Sequence, residues 1–158
     1  MTDSTATDTP SADSRVEELI DNFSFLDDWE DRFRYLIDLG RRLAPMDESL
    51  KTEETKVRGC TSQVWIVDEV RPGPPPRLHF IADSDAHIVK GLIAVLLEVY
   101  NDRTPQEILA VDIKQAIGEL GFEQHLSPNR ANGLYAMVER IRALAAREAA
   151  GTPAPSSS

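Results

Sequence analysis

From Ile88 to Val99 the chain reads Ile-Val-Lys-Gly-Leu-Ile-Ala-Val-Leu-Leu-Glu-Val, which is apolar on nearly every face of the helix it would form over residues 86–100. A helix apolar all round has to be covered on all sides, so the rest of the chain must supply its covering. The longest uninterrupted apolar run, Leu92 to Leu97, falls far short of the roughly 20 residues a bilayer span needs. The covering is therefore expected to be protein rather than lipid. Ser84 and Asp85 offer N-caps for this helix. Gly91 inside it costs about 1 kcal/mol relative to alanine, which predicts a close approach by another stretch of backbone.

The flanking segments supply the cover. Ser14 is expected to cap a first helix carrying Val16, Leu19, Ile20 and Phe23 at helical spacing, with Glu17 completing a capping box, and to end near Ser24. A second helix, opening at Asp27 or Asp28, directs Trp29, Phe33, Leu36, Ile37 and Leu43 inward and stops at Pro45. After a polar connection over 47–56 the pattern becomes extended. Residues 63–70 alternate Val64 and Ile66 against Trp65 and Val67, a Pro-rich turn follows over 71–76, and Leu78, Phe80 and Ala82 alternate with His79, Ile81 and Asp83. This is a hairpin. Thr104-Pro105 opens a short helix to about Ala110, another spans 112–119, and Ser127-Pro128 starts a last helix that presents Leu134, Val138, Ile141 and Ala145 and reaches about Glu148. The expected fold is α+β, a small antiparallel β-sheet covered by helices, formed by one domain over 14–149. An acidic tail over 1–13 and a second polar tail over 150–158 are too poor in apolar side chains to order themselves.

The formal net charge of −10 over 158 residues argues against a protein that grips nucleic acid or an anionic membrane, since both are themselves negative. The chain start has neither the basic residues nor the apolar stretch of a secretory signal, so a cytoplasmic location is expected. The single cysteine, Cys60, can form no internal disulfide, and no Cys-x-x-Cys pair is present to hold zinc or an iron–sulfur cluster. His79, His87 and His125 are dispersed without metal-ligand spacing, so no metal is expected.

Cys60 stands where a polar loop becomes a strand, in Lys56-Val-Arg-Gly-Cys-Thr-Ser-Gln-Val-Trp65. Such a place gives a thiol access and mobility. Gly59 permits backbone angles closed to other residues, Arg58 and Lys56 would lower the thiol pKa if they folded toward it, and the hydroxyls of Thr61 and Ser62 can donate to a thiolate. On local chemistry alone an inert, buried cysteine remains the commoner outcome.

Four blocks change that balance. Val57-Arg-Gly-Cys-Thr-Ser-Gln-Val-Trp-Ile66, Asp83-Ser-Asp-Ala with Ile88-Val-Lys-Gly-Leu-Ile-Ala94, Thr104-Pro-Gln-Glu-Ile108, and Gln124-His-Leu-Ser-Pro-Asn-Arg130 with Gly133 together resemble the SufE family of sulfur-acceptor proteins, the iron–sulfur metabolism associated family. The resemblance spans about Val16 to Ala146. Arg58 and Thr61 depart from it, standing where the family often has glutamine.

The resemblance implies a fold shared by SufE proteins and IscU-type scaffolds, and a carrier rather than an enzyme in its own right. Cys60 would take sulfane sulfur as a persulfide from a SufS-like cysteine desulfurase, stimulate that enzyme, and deliver the sulfur toward iron–sulfur cluster assembly on a SufBCD-type complex of the SUF system. Pyridoxal phosphate would belong to the desulfurase. By the same resemblance Arg130 is assigned to docking or to the cysteine's surroundings; Asp83 and Asp85 are candidates equally for the edge of its pocket and for purely structural helix-capping carboxylates, and Gln63 for binding the loop backbone or lining the pocket. The competing readings are a hydrolase with Cys60 as nucleophile, an iron–sulfur scaffold, which usually needs about three cysteines, and a partner-binding module with an inert cysteine.

Overall fold

Nine of the fourteen residues of the central helix, α3 (His87–Tyr100), are buried, among them Leu92, Ile93, Val95, Leu96 and Val99. In the computed structural model, which describes residues 12–59 and 62–151, the covering comes from α1 (Ala12–Ser24), α2 (Trp29–Arg41), the inner face of a hairpin, β1 (Val64–Arg71) with β2 (Arg77–Ser84), and α7 (Pro128–Gly151). Three short helices, α4 (Pro105–Ala110), α5 (Ile113–Leu120) and α6 (Phe122–His125), complete the order. The fold is α+β, with a two-stranded antiparallel sheet covered by helices.

The closest packing lies between α2 and α3. A Cβ added at Gly91 would sit 2.3 Å from the carbonyl oxygen of Leu36, and one added at Gly40 would sit 2.7 Å from the amide nitrogen of Gly91. Backbone rests on backbone here, which is the close approach that a glycine inside so apolar a helix predicts.

A two-stranded sheet is marginal alone, and both of its edges are covered. In the hairpin Val64 pairs with Ser84 and Arg71 with Arg77, which turns Val64, Ile66, Leu78, Phe80 and Ala82 toward α3. Beyond β2, Leu78 N–H donates to the Arg103 carbonyl (2.9 Å), Asp102 N–H donates to that of Leu78 (2.8 Å), and Phe80 N–H donates to Asn101 Oδ1 (2.7 Å). Beyond β1, Val57 N–H donates to the Val64 carbonyl (2.8 Å) and Ile66 N–H to that of Thr55 (2.9 Å). Short bridging segments thus occupy the hydrogen-bonding groups that open edges would expose.

Local capping chemistry accounts for most helix starts. Asp28 caps α2, Asp112 caps α5, and Thr104 forms a reciprocal capping box with Glu107 behind Pro105. Several expectations need correction. Helix α1 begins at Ala12, so Ser14 lies within it and is not its cap; Ala12 and Asp13 extend the helix because the nearest breaker in the sequence is Pro10. Helix α2 ends at Arg41 rather than at Pro45, and half-buried Leu43 lies beyond it. The N-cap of α3 is Ala86, without a side-chain cap: Ser84 Oγ accepts from Ala86 N–H, while the Asp85 carboxylate is taken by Gln63. Helix α6 was not expected. It forms because Gly121, at φ +80°, ends α5 and turns Phe122 fully into the core. Helix α7 runs three residues past Glu148 to Gly151. Of the two expected tails, residues 1–11 and 152–158 lie outside the described residues.

Candidate functional site

Cys60 and Thr61 lie outside the described residues, and the site is built from what surrounds them in sequence. The loop 58–63 is closed at its base by the Val57–Val64 hydrogen bond. On the strand side Gln63 is held by Asp85: Gln63 N–H donates to Asp85 Oδ1 at 3.1 Å, its amide Nε2 reaches Oδ2 at 3.5 Å, and Asp85 N–H donates to the Gln63 carbonyl at 3.3 Å. On the other side Gly59 takes φ +90°, a conformation that costs a side-chain-bearing residue about 1–2 kcal/mol. The place where its Cβ would stand is 3.4 Å from Ala136 on α7.

Helix α7 backs this loop along one stripe. Gly133, Ala136, Met137 and Arg140 recur at helical spacing, and the Arg140 guanidinium donates to the carbonyls of Glu54 (2.6 Å) and Lys56 (3.4 Å). One turn earlier, Arg130 follows the Ser127 cap, whose Oγ accepts from Arg130 N–H at 3.3 Å. Ser62, Asn129 and Arg130 join Val64, Val89, Leu92, Leu134 and Met137 around a mainly apolar cavity of about 10 Å³. That volume is on the order of one water molecule. Arg130 Nη1 is buried and meets no acceptor among the described residues. An unsatisfied guanidinium nitrogen in an apolar setting favours an anionic or strongly accepting group arriving there.

Asp83 forms a separate network. Its Oδ2 lies 3.0 Å from Lys51 Nζ, its Oδ1 lies 3.5 Å from Lys90 Nζ, and Ser84 N–H donates to Oδ1 at 2.8 Å. Burial alone would push the Asp83 pKa up, but the hydrogen bonds from Lys51 and Ser84 and the two ammonium charges outweigh it and hold the carboxyl below its ordinary value. Lys51 also lies over the Trp65 ring, 5.3 Å from its centroid. Asp83 therefore ties the 3-10 turn Glu48–Leu50 and its follower Lys51 to the sheet and to α3.

Gln63, Asp85, Ser62, Gly59 and Arg130 thus border the cysteine loop, whereas Asp83 sits one strand position away on the lysine network. The Arg58 side chain is 81% exposed, with Glu53 at 3.9 Å. Lys51, Lys90 and Arg140 were missed by sequence reasoning. For Arg140 a signal existed, since it continues the Gly133–Met137 stripe; for Lys51 there was none. Among the described residues no group of three or more His, Cys, Asp or Glu is arranged to hold a metal, and no helix is long and apolar enough to cross a membrane.

The chain is 45% identical over 128 residues to an uncharacterised SufE-like protein of Rhizobium meliloti (strain 1021), covering 80% of this chain and 91% of that one. It is 47% identical over 128 residues to a second uncharacterised SufE-like protein, from Rhizobium etli, covering 80% and 86%. The fold matches the solution structure of a hypothetical protein from Thermus thermophilus with a TM-score of 0.70 at 21% identity, over 87% of this chain and 97% of that one. Residues 17–145 match the family model described as SufE, Fe-S metabolism associated domain. With its folded core matched almost from end to end, this chain belongs to the SufE family of iron–sulfur metabolism proteins.

Proposed function

We propose that this protein accepts sulfane sulfur on Cys60 from a pyridoxal-phosphate cysteine desulfurase, stimulates that enzyme, and passes the sulfur on for iron–sulfur cluster assembly, with a SufBCD-type complex as receiver. What supports this reading is the chain's single cysteine lying in sequence within the SufE signature block, between residues pinned at Val57–Val64 and Gln63–Asp85, with Ser62 and Arg130 lining one cavity nearby.

The chemistry is a displacement. The Cys60 thiolate attacks the outer sulfur of the desulfurase persulfide, a new sulfur–sulfur bond forms on Cys60, the old one breaks, and the desulfurase cysteine leaves as thiolate. The sulfane sulfur keeps its oxidation state, so no electron donor or acceptor is consumed. Cys60 is regenerated when a second acceptor takes the sulfur, which makes the protein a carrier rather than an enzyme with its own substrate. Arg130 supplies a buried cationic donor near the loop, suited to an anionic persulfide. Against the hydrolase reading, His79 is engaged by Asp102 at 3.1 Å, His125 stacks on Trp29 at 4.0 Å, and no histidine lines the cavity of Ser62 and Arg130.

The test is sulfide release by a purified desulfurase from the same organism, with and without this protein. Wild type is expected to accelerate turnover several-fold and to gain about 32 Da on Cys60, and Cys60→Ser to do neither. Unchanged turnover with no mass gain overturns the reading.

A further inference from the structure

We propose that the cleft between the C-terminal ends of α2 and α3 binds a small free carboxylate with an apolar body, received by the guanidinium groups of Arg15 and Arg42. The cleft has a volume of about 600 Å³ and is bounded by Leu97 and Glu98 of α3, Phe80 of β2 and residues 42–44. It lies at the opposite end of α3 from Asp85. Its volume falls within the range of small-molecule sites, roughly 300–1,000 Å³. Half-buried Leu39, Leu43 and Ala94 give it an apolar wall.

Both guanidinium groups stand in the cleft without a carboxylate partner. Elsewhere on the helix surfaces of this acidic chain, arginines pair with acids three residues away, as Arg34 does with Asp31 (2.8 Å) and Arg41 with Asp38 (3.3 Å). Glu18 stands three residues after Arg15 on α1. Arg15 nevertheless crosses to α3, where Nη1 donates to the carbonyls of Asn101 (2.7 Å) and Glu98 (3.2 Å). Those two bonds fix the guanidinium at the cleft, while its Nε and Nη2 meet no acceptor among the described residues. Arg42, the C-cap of α2, lines the same cleft, and its side chain has no ion pair among the described residues. A guanidinium held in place with free donors suits a carboxylate, because two parallel N–H groups match its two oxygens. The cleft also borders three acids: Asp102 is engaged by His79 at 3.1 Å, and Glu18 and Glu98 are exposed. Their charge disfavours a bare anion such as phosphate. Burial of apolar surface against Leu39, Leu43 and Ala94 must add to the binding, which sets the ligand as a carboxylate carrying a hydrocarbon portion.

This binding site depends neither on Cys60 nor on sulfur transfer. Hexanoate would be titrated into the isotope-labelled full chain while the amide chemical shifts are followed, with hexanamide as its neutral counterpart, for wild type, Arg15→Ala and Arg42→Gln. For wild type we expect saturable shifts at the amides of Leu43, Ala94 and Leu97 with a midpoint of about 1 mM, and no saturation by hexanamide. Binding should weaken about tenfold in Arg15→Ala and several-fold in Arg42→Gln. Absence of saturable shifts up to about 20 mM overturns the proposal, as does hexanamide binding as tightly as hexanoate. Shifts confined to residues away from the cleft, such as Ser62 and Arg130, overturn it too. Arg42→Gln changes an exposed side chain and decides the matter even if Arg15→Ala fails to fold: affinity within twofold of wild type in that variant overturns the proposal. An acetylated dileucine peptide with a free terminal carboxylate that binds where hexanoate does not would make the cleft a dock for chain ends and overturn the small-ligand assignment.

Discussion

Asp85 holds Gln63 through both of its carboxylate oxygens and its own backbone N–H, so the first residue of the α3 approach fixes the last residue of the cysteine loop. Both side chains are exposed, which brings the worth of the contact below the range for charged hydrogen bonds and near that of an ordinary one. Asp85→Ala is expected to cost about 1 kcal/mol in urea unfolding and to speed exchange of the Gln63 amide. Asp85→Asn, which keeps one accepting oxygen, should lose less. Unaltered exchange at Gln63 in the alanine variant would contradict this.

The Asp83 network makes stability depend on acid. Its folded pKa lies below the ordinary aspartate value of 3.8, so the unfolded chain takes up the proton first as the pH falls. The contribution is fully present above pH 4, roughly the unfolded pKa, and is lost as the pH drops through the lower, folded one. Wild type should therefore lose more stability than Asp83→Asn between about pH 5 and pH 3 in parallel urea titrations. Parallel pH profiles for the two proteins would rule the coupling out.

Gly91→Ala sets two effects against each other. Alanine is the better helix former by about 1 kcal/mol, but its Cβ would stand 2.3 Å from the Leu36 carbonyl oxygen, a backbone atom with no rotamer to yield. The clash should win, with a net loss of about 2–3 kcal/mol. A thermal midpoint equal to or above wild type would show that α2 can move aside.

Tyr100 predicts a loss at the alkaline end. Its hydroxyl is buried, has no hydrogen-bond partner among the described residues, and has its pKa pushed up to about 12, chiefly by burial. The unfolded phenol ionises near pH 10, so the folded form's advantage is whole below pH 10 and falls away as the pH rises toward 12. Tyr100→Phe should remove that part of the decline and, by deleting an unsatisfied group, be neutral or about 1 kcal/mol stabilising at pH 7. Urea midpoints at pH 7 and pH 11 for both proteins test it, and a phenylalanine variant clearly weaker at pH 7 would mean that the hydroxyl has a partner.

What could be read in the sequence was what short-range chemistry decides. The buried state of α3 follows from its composition, the Gly91 contact from the cost of glycine in a helix, and the start of α4 from Thr104 followed by Pro105. The hairpin was legible because period-two alternation around a proline-rich turn admits little else. Ser14 failed as a cap because a good cap residue does not stop a helix that Ala12 and Asp13 can extend. Helix α6 is a single turn, too short for periodicity to register. At the site, the SufE signature pointed to Cys60, but the ties around its loop are long-range. Lys51 with Asp83, Gln63 with Asp85 and Arg140 with Lys56 meet only once the chain has folded, and charged residues in loops and on helix surfaces look alike until then.

Arg140 follows Lys56 by 84 positions, and Ala136, against which Gly59 rests, belongs to the same last helix. On a ribosome the cysteine-bearing segment is therefore made long before the helix that backs it. A nascent chain stopped short of α7 has its thiol and its hairpin but neither the guanidinium nor the wall behind them. The backing arrives after the loop, so a finished loop base certifies that synthesis has already passed α7.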